Sequence, residues 1–549
     1  MSTAYSYPGI YIQELPLSTQ TITPAPTSIT AFVGYVNPWQ TEQSQFGQAV
    51  QLFSFSDYER YFGGLYTSGL IASDLARAVY AFFLNGGNNA WVVGLQPSGG
   101  GAQFGNESDD LAFMATVNPD STNTAVGMLF QALEPADVVP MTVSVTNLRQ
   151  NEASVYSIFD LVIRYGPQVE VYRGLDLTIA PGTSGSIDKV VNAASALVSV
   201  GALNGASYGT QFPVVAPATL PVPPAQQSFE LATIPTAPNA PGAAPAITTT
   251  FSDLDFLPVF QQNSSLDNVE IFNLLLVPGV ADNTIISAAL AFAERKRAFA
   301  ILDPPPQATA YQLKGSVLPT MDSYMNPTAL IPLSQNGAIY FPYLQTTDPL
   351  SGLPTPQAPS GFVAGVYAAT DASRGVWKAP AGIATTLLGT TGPVQTGVMN
   401  DMQQGVLNLD SINCLRSFAS TGTVVYGART LVAADTAFAQ SKYVPVRRMT
   451  LFIEQSLIGS LKWVVFEPND EPLWLAIKST IEAFLLSLFN QQALQGSTPS
   501  DAFQVKVDST TTTPADQQLG IVNIVVSVAL LKPAEFVVIK IAQIAGQTS

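Results

Sequence analysis

The sequence predicts a multidomain protein of mixed α/β (α+β) class. It has an α/β core built from N- and C-terminal segments, a β-rich inserted domain and extended terminal strand arms. The chain has 549 residues, and a single hydrophobic core rarely grows beyond about 250–300 residues. Strand and helix patterns alternate near both ends, whereas residues 96–264 are rich in strand patterns and proline. The last apolar run, "KPAEFVVIKI", is β-branched and precedes a short polar tail.

The N-terminal part of the core is predicted to run strand, helix, strand. Residues 28–36, "SITAFVGYV", form the first strand, and the buried run "AWVVGL" forms another. The helix between them is predicted from apolar residues at helical spacing, namely Leu75, Val79, Phe82 and Phe83. The run Asn85-Gly86-Gly87 is typical of a left-handed helix end. The following "QPSGGGAQFG" predicts a domain boundary.

Residues 96–264 are predicted to be a β-rich insertion. Three alternating stretches indicate hairpin strands: "MTVSVTNL", "SIFDLVIRYG" and "QVEVYRGLDLTI". Proline- and alanine-rich segments between residues 216 and 250 indicate an extended or flexible connector.

The α/β pattern returns after the insertion. A buried strand is predicted over residues 269–280, followed by a helix and the strand "AFAIL". The clearest helix starts at Asn469 or Asp470 as cap, has Glu471 and Pro472 in its first turn, and ends at Gly496. Its apolar stripe consists of Leu473, Trp474, Ile477, Ile481, Phe484, Leu485 and Leu488. A strand with one buried face is predicted over residues 519–531.

These patterns divide the chain into five parts. Residues 1–27 form an N-terminal arm, and residues 532–549 a C-terminal strand arm. Residues 28–95 and 265–400 build a discontinuous central α/β domain. The insertion, residues 96–264, is expected to face outward, and residues 401–531 form a C-terminal core domain.

Composition restricts the chemistry. The chain contains no histidine and one cysteine, Cys414, which is expected to be a small buried hydrophobe. Without histidine there is no Ser-His or Cys-His nucleophile pair, and a lone cysteine cannot build a zinc site. The glycine-rich stretches lack the Gly-Lys-Ser/Thr of a phosphate loop. We therefore expect no catalytic residue, no metal and no cofactor.

The charge balance restricts the partners. The net charge is −17, which argues against nucleic acid and against anionic membrane surfaces. Charged residues make up only 11% of the chain, less than half the usual share of about 25%. A surface so poor in charge favours coverage by polymerisation.

Two charged groups have competing interpretations. The acidic residues Glu467, Asp470 and Glu471 could form an acid or metal cluster, but their place before a helix favours helix capping. The basic pair Arg447 and Arg448 either binds an acidic partner surface or forms local ion pairs, and the sequence leaves both open.

The N-terminus lacks the basic and apolar regions of a secretory signal. The longest apolar run, residues 519–531, is shorter than the roughly 18 residues of a membrane span. We expect synthesis in the cytoplasm without a signal peptide and no direct membrane insertion. The terminal strand either closes a sheet of its own domain or pairs with another chain, because an unpaired strand edge is an aggregation hazard.

Many separate blocks resemble contractile tail sheath proteins, in family order. The N-terminal blocks are "YPGIYIQE", "TAFVGYV", "FSDYERYFGG" and "AVYAFFLNGGNNAWVVGL". Later blocks include "AILDPPP", "GFVAGVYAATDASRGVWKAPAG", "VPVRRMTLFIEQSLIGSLKWVVFEPNDEPLW" and "LKPAEFVVIKI". They cover roughly residues 1–95 and 265–549. The closing block is most similar to sheaths of extracellular contractile injection systems, which are related to phage tails and R-type bacteriocins.

The resemblance implies a structural, non-enzymatic subunit that polymerises around an inner tube and contracts to drive that tube through a target membrane. The implied partners are copies of itself, the inner tube protein, baseplate and cap or terminator proteins, and sheath paralogues, within a phage tail-like particle. The family domain is often called subtilisin-like, but this histidine-free chain cannot carry a subtilisin triad.

The resemblance also implies which residues exchange strands between subunits. The implied donors are an N-terminal group of Gly9, Ile10, Tyr11, Ile12, Gln13 and Glu14 and a C-terminal group of Pro533, Ala534, Glu535, Phe536, Val537, Val538, Ile539, Lys540 and Ile541. The family touches its inner tube through the C-terminal domain, usually through a helix. The candidate contact residues here are Arg447, Arg448, Lys478 and Glu482.

Two alternatives remain at this stage. One is a catalytically degenerate subtilisin-like hydrolase, which would need a pocket of convergent titratable groups. The other is an acidic self-assembling surface protein, which should carry an export signal.

Overall fold

A computed structural model describes fourteen stretches of the chain: residues 21–37, 40–66, 72–97, 114–117, 127–132, 141–165, 168–202, 207–212, 227–230, 251–306, 308–313, 332–350, 352–432 and 436–541. The chain divides into two compact units. The larger unit is Thr27–Arg447, and the smaller unit combines Met1–Pro26 with Arg448–Ser549.

The strands, in chain order, are β1 Thr30–Tyr35, β2 Ala49–Leu52, β3 Ala90–Leu95, β4 Met114–Val117, β5 Met128–Ala132, β6 Met141–Gln150, β7 Tyr156–Tyr165, β8 Gln168–Asp176, β9 Val198–Ala202, β10 Gln227–Glu230, β11 Leu274–Leu276, β12 Phe299–Leu302, β13 Gly337–Phe341, β14 Leu344–Thr347, β15 Pro354–Gln357, β16 Thr390–Pro393, β17 Ile412–Phe418, β18 Gly422–Val425, β19 Phe503–Lys506 and β20 Val525–Val528.

The helices are α1 Phe55–Phe62, α2 Asp74–Leu84, α3 Ile187–Asn192, α4 Asp253–Phe256, α5 Asn283–Lys296, α6 Ala310–Leu313, α7 Ser360–Arg374, α8 Asp401–Leu409, α9 Val444–Ser460, α10 Glu471–Asn490, α11 Pro499–Ala502 and α12 Pro514–Gln518. Short 3₁₀ turns include Leu257–Phe260 and Lys462–Val464.

An eight-stranded sheet forms the core of the larger unit, in the order β18-β17-β13-β12-β11-β1-β3-β2. The six inner strands run parallel, and the two edge strands, β2 and β18, run antiparallel. Every residue of β1, β12 and β13 is buried, as expected for strands covered on both faces. The predicted mixed α/β class is confirmed.

The helix end predicted at Asn85 is present and follows from the glycines. The N–H of Gly87 donates to the carbonyl of Phe82 at 2.9 Å, and the N–H of Gly86 donates to Phe83 at 3.4 Å. This is a Schellman motif, in which the residue after the cap takes a positive φ. Gly86 has φ +108°, and a Cβ there would lie 2.8 Å from the Cβ of Ala369.

The predicted insertion has a hydrophobic core of its own. A four-stranded antiparallel sheet, β10-β6-β7-β8, and a three-stranded sheet, β4-β5-β9, supply most of it. Its large buried side chains include Phe130, Phe159, Leu161, Ile163, Tyr208 and Phe212. The three long strands predicted from alternation are β6, β7 and β8.

Three predicted elements are shorter than the sequence indicated. The strand predicted over residues 269–280 is only β11, because a turn with Gly279 at φ +76° follows it. The strand predicted over residues 519–531 is only β20, because Leu519 still closes α12. The helix predicted to reach Gly496 ends at Asn490, because Gln492 takes φ +59° and Ala493 donates back to Leu488 at 3.0 Å.

The structure also divides the C-terminal half differently from the predicted boundary at residue 401. Strands β17 and β18 complete the central sheet by pairing with β13 and with each other. Residues 401–447 therefore belong to the larger unit, which ends at Arg447.

Candidate inter-subunit site

The smaller unit contains a sheet of only two strands among its described residues. Strand β19 pairs antiparallel with β20, in a register that sets Phe503 opposite Val528 and Lys506 opposite Val525. Neither strand has a second neighbour within the described part of the unit, so each presents an open edge. Isolated two-stranded sheets are marginally stable in water.

One face of this sheet is covered and the other is open. Helix α10 packs against β19, and Val505 is buried, whereas Gln504, Lys506 and Val525 are exposed. The seven residues predicted as the stripe of α10 are its seven buried residues. These residues lie in the core of the unit. The ring centroid of Phe484, for example, is 6.2 Å from that of Phe452 on α9. The helix therefore supports a sheet that stays open to a third strand.

The C-terminal segment, residues 533–541, adopts neither helix nor strand. Five of its apolar side chains are 73–92% exposed, namely Phe536, Val537, Val538, Ile539 and Ile541. Burying such a side chain contributes about 1.5–3 kcal/mol, and this contribution is unused here. The segment alternates in the way a strand needs, with Phe536 and Val538 on one side and Val537 and Ile539 on the other.

The two residues directly after β20 remain hydrogen-bonded or paired to their own unit. The N–H of Ala529 donates to Ala502 at 2.8 Å, and its carbonyl accepts from Gln495 at 2.8 Å. Leu530 forms an antiparallel bridge with Leu494.

The N-terminal arm is only partly described. The predicted donor residues Gly9, Ile10, Tyr11, Ile12, Gln13 and Glu14 lie outside the described residues. Residues 21–26 pack on the smaller unit of their own chain: Thr23 N–H donates to Ser460 Oγ at 3.0 Å, and Ala25 N–H donates to Ser456 Oγ at 2.9 Å. A donating N-terminal arm would therefore precede residue 21.

The four candidate tube-contact residues occupy different environments. Lys478 and Glu482 form an i,i+4 pair 3.9 Å apart on α10, with side chains 42% and 44% exposed. Arg447 is half-buried and its Nε donates to Asn336 Oδ1 at 3.0 Å. Arg448 is buried, with 3% of its surface exposed, so its side chain cannot form a surface contact in this conformation.

A surface residue that the sequence did not indicate lies just before α10. Phe466 is fully exposed and has φ +73°, and its neighbour Val465 is also exposed. A left-handed backbone costs a bulky residue about 1–2 kcal/mol, and such strain clusters at functional positions. No pattern around a single phenylalanine signals its backbone conformation, so the sequence could not have identified it.

The acidic residues around Asp470 act locally. Asp470 caps α10 by accepting from the N–H of Leu473 at 3.1 Å, as the capping interpretation predicted. In α11 and α12 the caps are Thr498 and Thr513, and Asp501 and Asp516 accept from the backbone N–H of these caps in capping boxes. Hydrogen bonds from Thr498 and Thr513 lower the pKa of the two carboxyls. Within the described residues, no group of three or more His, Cys, Asp or Glu is placed to hold a metal ion.

Helix α10 is long and apolar enough to cross a membrane by length and composition. Core helices of soluble proteins pass the same test, and the buried stripe of α10 packs inside its unit. We therefore assign α10 to the core of the smaller unit.

Part of the chain is similar in sequence to known tail sheath proteins. Residues 263–431 match the family model described as the phage tail sheath protein central domain. The tail sheath protein of Vibrio phage KVP40 is 27% identical over 129 residues, which are 24% of this chain. The match spans 19% of that relative's length.

The fold extends the likeness to nearly the whole chain. The anti-feeding prophage helical sheath in its contracted state has a TM-score of 0.55 at 20% identity, covering 98% of this chain and 100% of that one. An extracellular contractile injection system, the PVC sheath complex in its contracted state, has a TM-score of 0.54 at 20% identity, covering 99% of both chains. A chain of the six-fold symmetrised anti-feeding prophage baseplate has a TM-score of 0.55 at 20% identity, covering 98% and 99%. The chain thus resembles the contractile tail sheath proteins, by sequence through residues 263–431 and by fold over almost its whole length.

Proposed function

We propose that this chain is a structural subunit of a contractile sheath. Subunits polymerise around an inner tube in a phage tail-like particle on a baseplate, and contraction drives the tube through a target membrane. The observation that carries this proposal is the exposed apolar segment 533–541, which follows an open two-stranded sheet in the same unit.

The link between subunits is strand exchange. Segment 533–541 of one copy adds to the β19–β20 sheet of a neighbour, together with the N-terminal residues Gly9 to Glu14. Main-chain hydrogen bonds hold the added strand at the edge of the sheet, and its side chains alternate between the two faces of the extended sheet. The exposure of the five apolar side chains in this segment supports donation to another copy.

The comparisons support neither alternative function. The family matched by residues 263–431 is one of structural sheath proteins. This match does not support a hydrolase or an exported surface protein.

The strand-exchange proposal is tested by deleting residues 533–549. The truncated chain should remain folded and monomeric but fail to form tubes under conditions where the full chain assembles, as seen by negative-stain electron microscopy. A synthetic peptide of residues 533–541 should bind the truncated chain, and a scrambled peptide should not. Tubes of normal length from the truncated chain would overturn the proposal.

We further propose that the inner tube contacts the smaller unit at Phe466, Lys478 and Glu482. Phe466 supplies an exposed apolar anchor, with the acidic residues Glu467 and Glu471 nearby in sequence, and aromatic anchors dominate many interfaces. Phe466→Ala should reduce co-sedimentation with purified tube at least tenfold and leave self-association unchanged. Met402→Ala removes another strongly exposed apolar side chain, in the larger unit, and serves as the control. Unchanged co-sedimentation of Phe466→Ala would refute this contact.

A further inference from the structure

Two serine side chains of helix α9 bind the backbone of an N-terminal segment in the smaller unit. Ala25 N–H donates to Ser456 Oγ at 2.9 Å, and Thr23 N–H donates to Ser460 Oγ at 3.0 Å. Ser456 is 1% exposed, and its hydroxyl donates to the carbonyl of Phe452 at 2.7 Å. Ser460 Oγ also donates to the carbonyl of Thr23 at 3.4 Å. Each serine hydroxyl is therefore used both as a donor and as an acceptor.

The spacing of the two serines matches the spacing of the two amides. Residues four apart on an α-helix lie on one face, about 6 Å apart along the axis. Amides two residues apart in an extended chain are separated by a similar distance, about 6–7 Å. Residues 22–26 adopt neither helix nor strand, and an extended segment forms no hydrogen bonds within itself. Helix α9 therefore takes the place that a neighbouring strand would have in a sheet.

The sequence of residues 22–26, "ITPAP", is suited to this arrangement. Pro24 and Pro26 have no N–H, and their rings fix φ near −65°, which keeps the backbone extended. After Ile22, the N–H groups of the segment are therefore only the two that the serines bind. The side chain of Ile22 is 8% exposed, so an apolar contact adds to the hydrogen bonds. We call residues 22–26 the strap.

The position of the strap limits how far the preceding residues can reach. Eight residues separate Ile22 from Glu14, the last residue of the proposed N-terminal donor. An extended chain spans at most about 3.6 Å per residue, so Glu14 can lie no further than about 29 Å from Ile22. If the strap is released, the chain is still held at Ile29, whose N–H donates to Asn273 Oδ1 at 3.0 Å. Ile29 is fifteen residues from Glu14.

We propose that Ser456 and Ser460 are positioning residues for N-terminal strand donation: they fasten the strap to α9, so that the donor reaches an accepting sheet of a neighbouring copy within about 29 Å of the strap. This inference rests on the proposed strand exchange and adds the residues that set its reach. The effective concentration of a tethered segment falls roughly as the −3/2 power of tether length. Release of the strap, which lengthens the tether from eight to fifteen residues, should therefore lower it about two- to threefold.

The first test is hydrogen exchange of the full-length protein below its assembly concentration, followed by mass spectrometry on peptides that contain the strap. Within the strap the signal comes mainly from the amides of Thr23 and Ala25, because proline has none. Ser456→Ala combined with Ser460→Ala should reduce the protection of these amides about 5- to 150-fold, since two hydrogen bonds are lost. Ser460→Thr keeps a hydroxyl and should keep Thr23 protected. Ser479→Ala, at an exposed serine of α10, is the control.

Equal protection in the wild type and in the double variant would overturn the proposal, as would unprotected amides in the wild type. If the double variant does not fold, Ser460→Ala alone decides, because Ser460 is only half-buried. It should expose the amide of Thr23 to exchange, and unchanged protection of Thr23 would refute the fastening.

The second test separates the positioning role from the proposed strand exchange. The double serine variant should need an about two- to threefold higher concentration to assemble, as measured by light scattering. The same serine changes are then made in a full-length chain with Ile10→Pro and Ile12→Pro, which remove N–H donors from the proposed strand. In that chain they should have no further effect on assembly.

Two results of this second test would contradict the proposal in different ways. If the serine changes weaken assembly equally in both chains, the serines act through the fold of the unit, and their positioning role is refuted. If the proline changes alone leave assembly normal, N-terminal strand donation itself is wrong and the positioning role falls with it. The exchange result on the strap stands in either case.

Discussion

The two units of this chain differ in how far their apolar strand sequences are buried. In the larger unit, β1, β12 and β13 are buried along their whole length inside an eight-stranded sheet. In the smaller unit, β19 and β20 form a pair, and the apolar side chains of residues 536–541 are exposed to solvent. Among the described residues, the two regions differ in whether a partner strand lies beside each apolar stretch.

This difference suggests that the parallel sheet determines the stability of one chain, whereas the tail determines assembly. The parallel sheet contains its own partners, so its stability is a property of one chain. Among the described residues, β19 and β20 pair only with each other and residues 533–541 form no strand, which is consistent with the proposed strand exchange. We therefore expect mutations of buried apolar residues in the larger unit to change stability, and mutations of the tail to change assembly.

The first expected effect is on assembly. Val538→Asp introduces a charge into the segment proposed to become a strand and should weaken self-association about ten- to a hundred-fold, because an apolar contact of about 1.5–3 kcal/mol is lost at each interface. Val538 is exposed in the single chain, so the thermal unfolding midpoint of the monomer should not move. Light scattering measures the first effect and calorimetry the second. A lower thermal unfolding midpoint together with normal self-association would show that Val538 contributes to folding and not to assembly.

The corresponding change in the larger unit is Leu276→Ala. Leu276 is fully buried on β11 between two parallel neighbours. Its truncation should lower the free energy of unfolding by about 2–5 kcal/mol. Urea denaturation measures this loss, and Leu353→Ala, at an exposed position of the same unit, provides the control. A loss below about 1 kcal/mol for Leu276→Ala would contradict a closely packed core.

A smaller effect is expected where the backbone of the larger unit requires glycine. Gly86→Ala places a Cβ in a left-handed turn and 2.8 Å from Ala369, which should cost about 1–3 kcal/mol. Gly182→Ala has a similar positive φ but open space around it, so it should cost about 1 kcal/mol. Comparing the two variants by denaturation separates the steric contribution from the conformational one, and equal losses would show that the close approach to Ala369 has no energetic consequence.

The smallest effect is expected at the start of α10. Asp470→Ala removes the cap of this helix and should cost about 0.5–2 kcal/mol in the smaller unit. Asp470→Asn keeps an oxygen acceptor and should retain most of that stability. Circular dichroism during thermal unfolding compares them, and equal midpoints for the alanine variant and the wild type would show that the cap is dispensable.

Periodic features were predictable from the sequence, and local backbone choices were not. The buried stripe of α10 was predicted residue by residue, because seven apolar residues at helical spacing can share only one face of a helix. The end of that helix was predicted wrongly at Gly496, because a glutamine, Gln492, takes the left-handed conformation usually given to glycine. The length of strand β20 was overestimated for a similar reason, because the C-terminal cap of α12 is Leu519, the first residue of the apolar run.

Side-chain environment was the least predictable feature of the site. Adjacent arginines look alike in a sequence, yet Arg448 is buried and Arg447 is half-buried. The exposure of Phe466 depends on a backbone angle that no pattern announces. By contrast, the exposed tail could be anticipated, because a β-branched run at a chain end needs a partner from somewhere.

The central claim is that segment 533–541 of one copy pairs with β20 of another, and cysteine crosslinking tests it most directly. The native Cys414 is buried, and burial raises its pKa to about 12, so it supplies little background reactivity. One variant carries Ser527→Cys on the exposed face of β20, and each partner variant carries one cysteine at a position between 536 and 541. Mixed samples should form crosslinked heterodimers at every second position along the segment, since a strand alternates its side chains. Absence of crosslinked heterodimers at every position in assembled samples would contradict the proposed pairing.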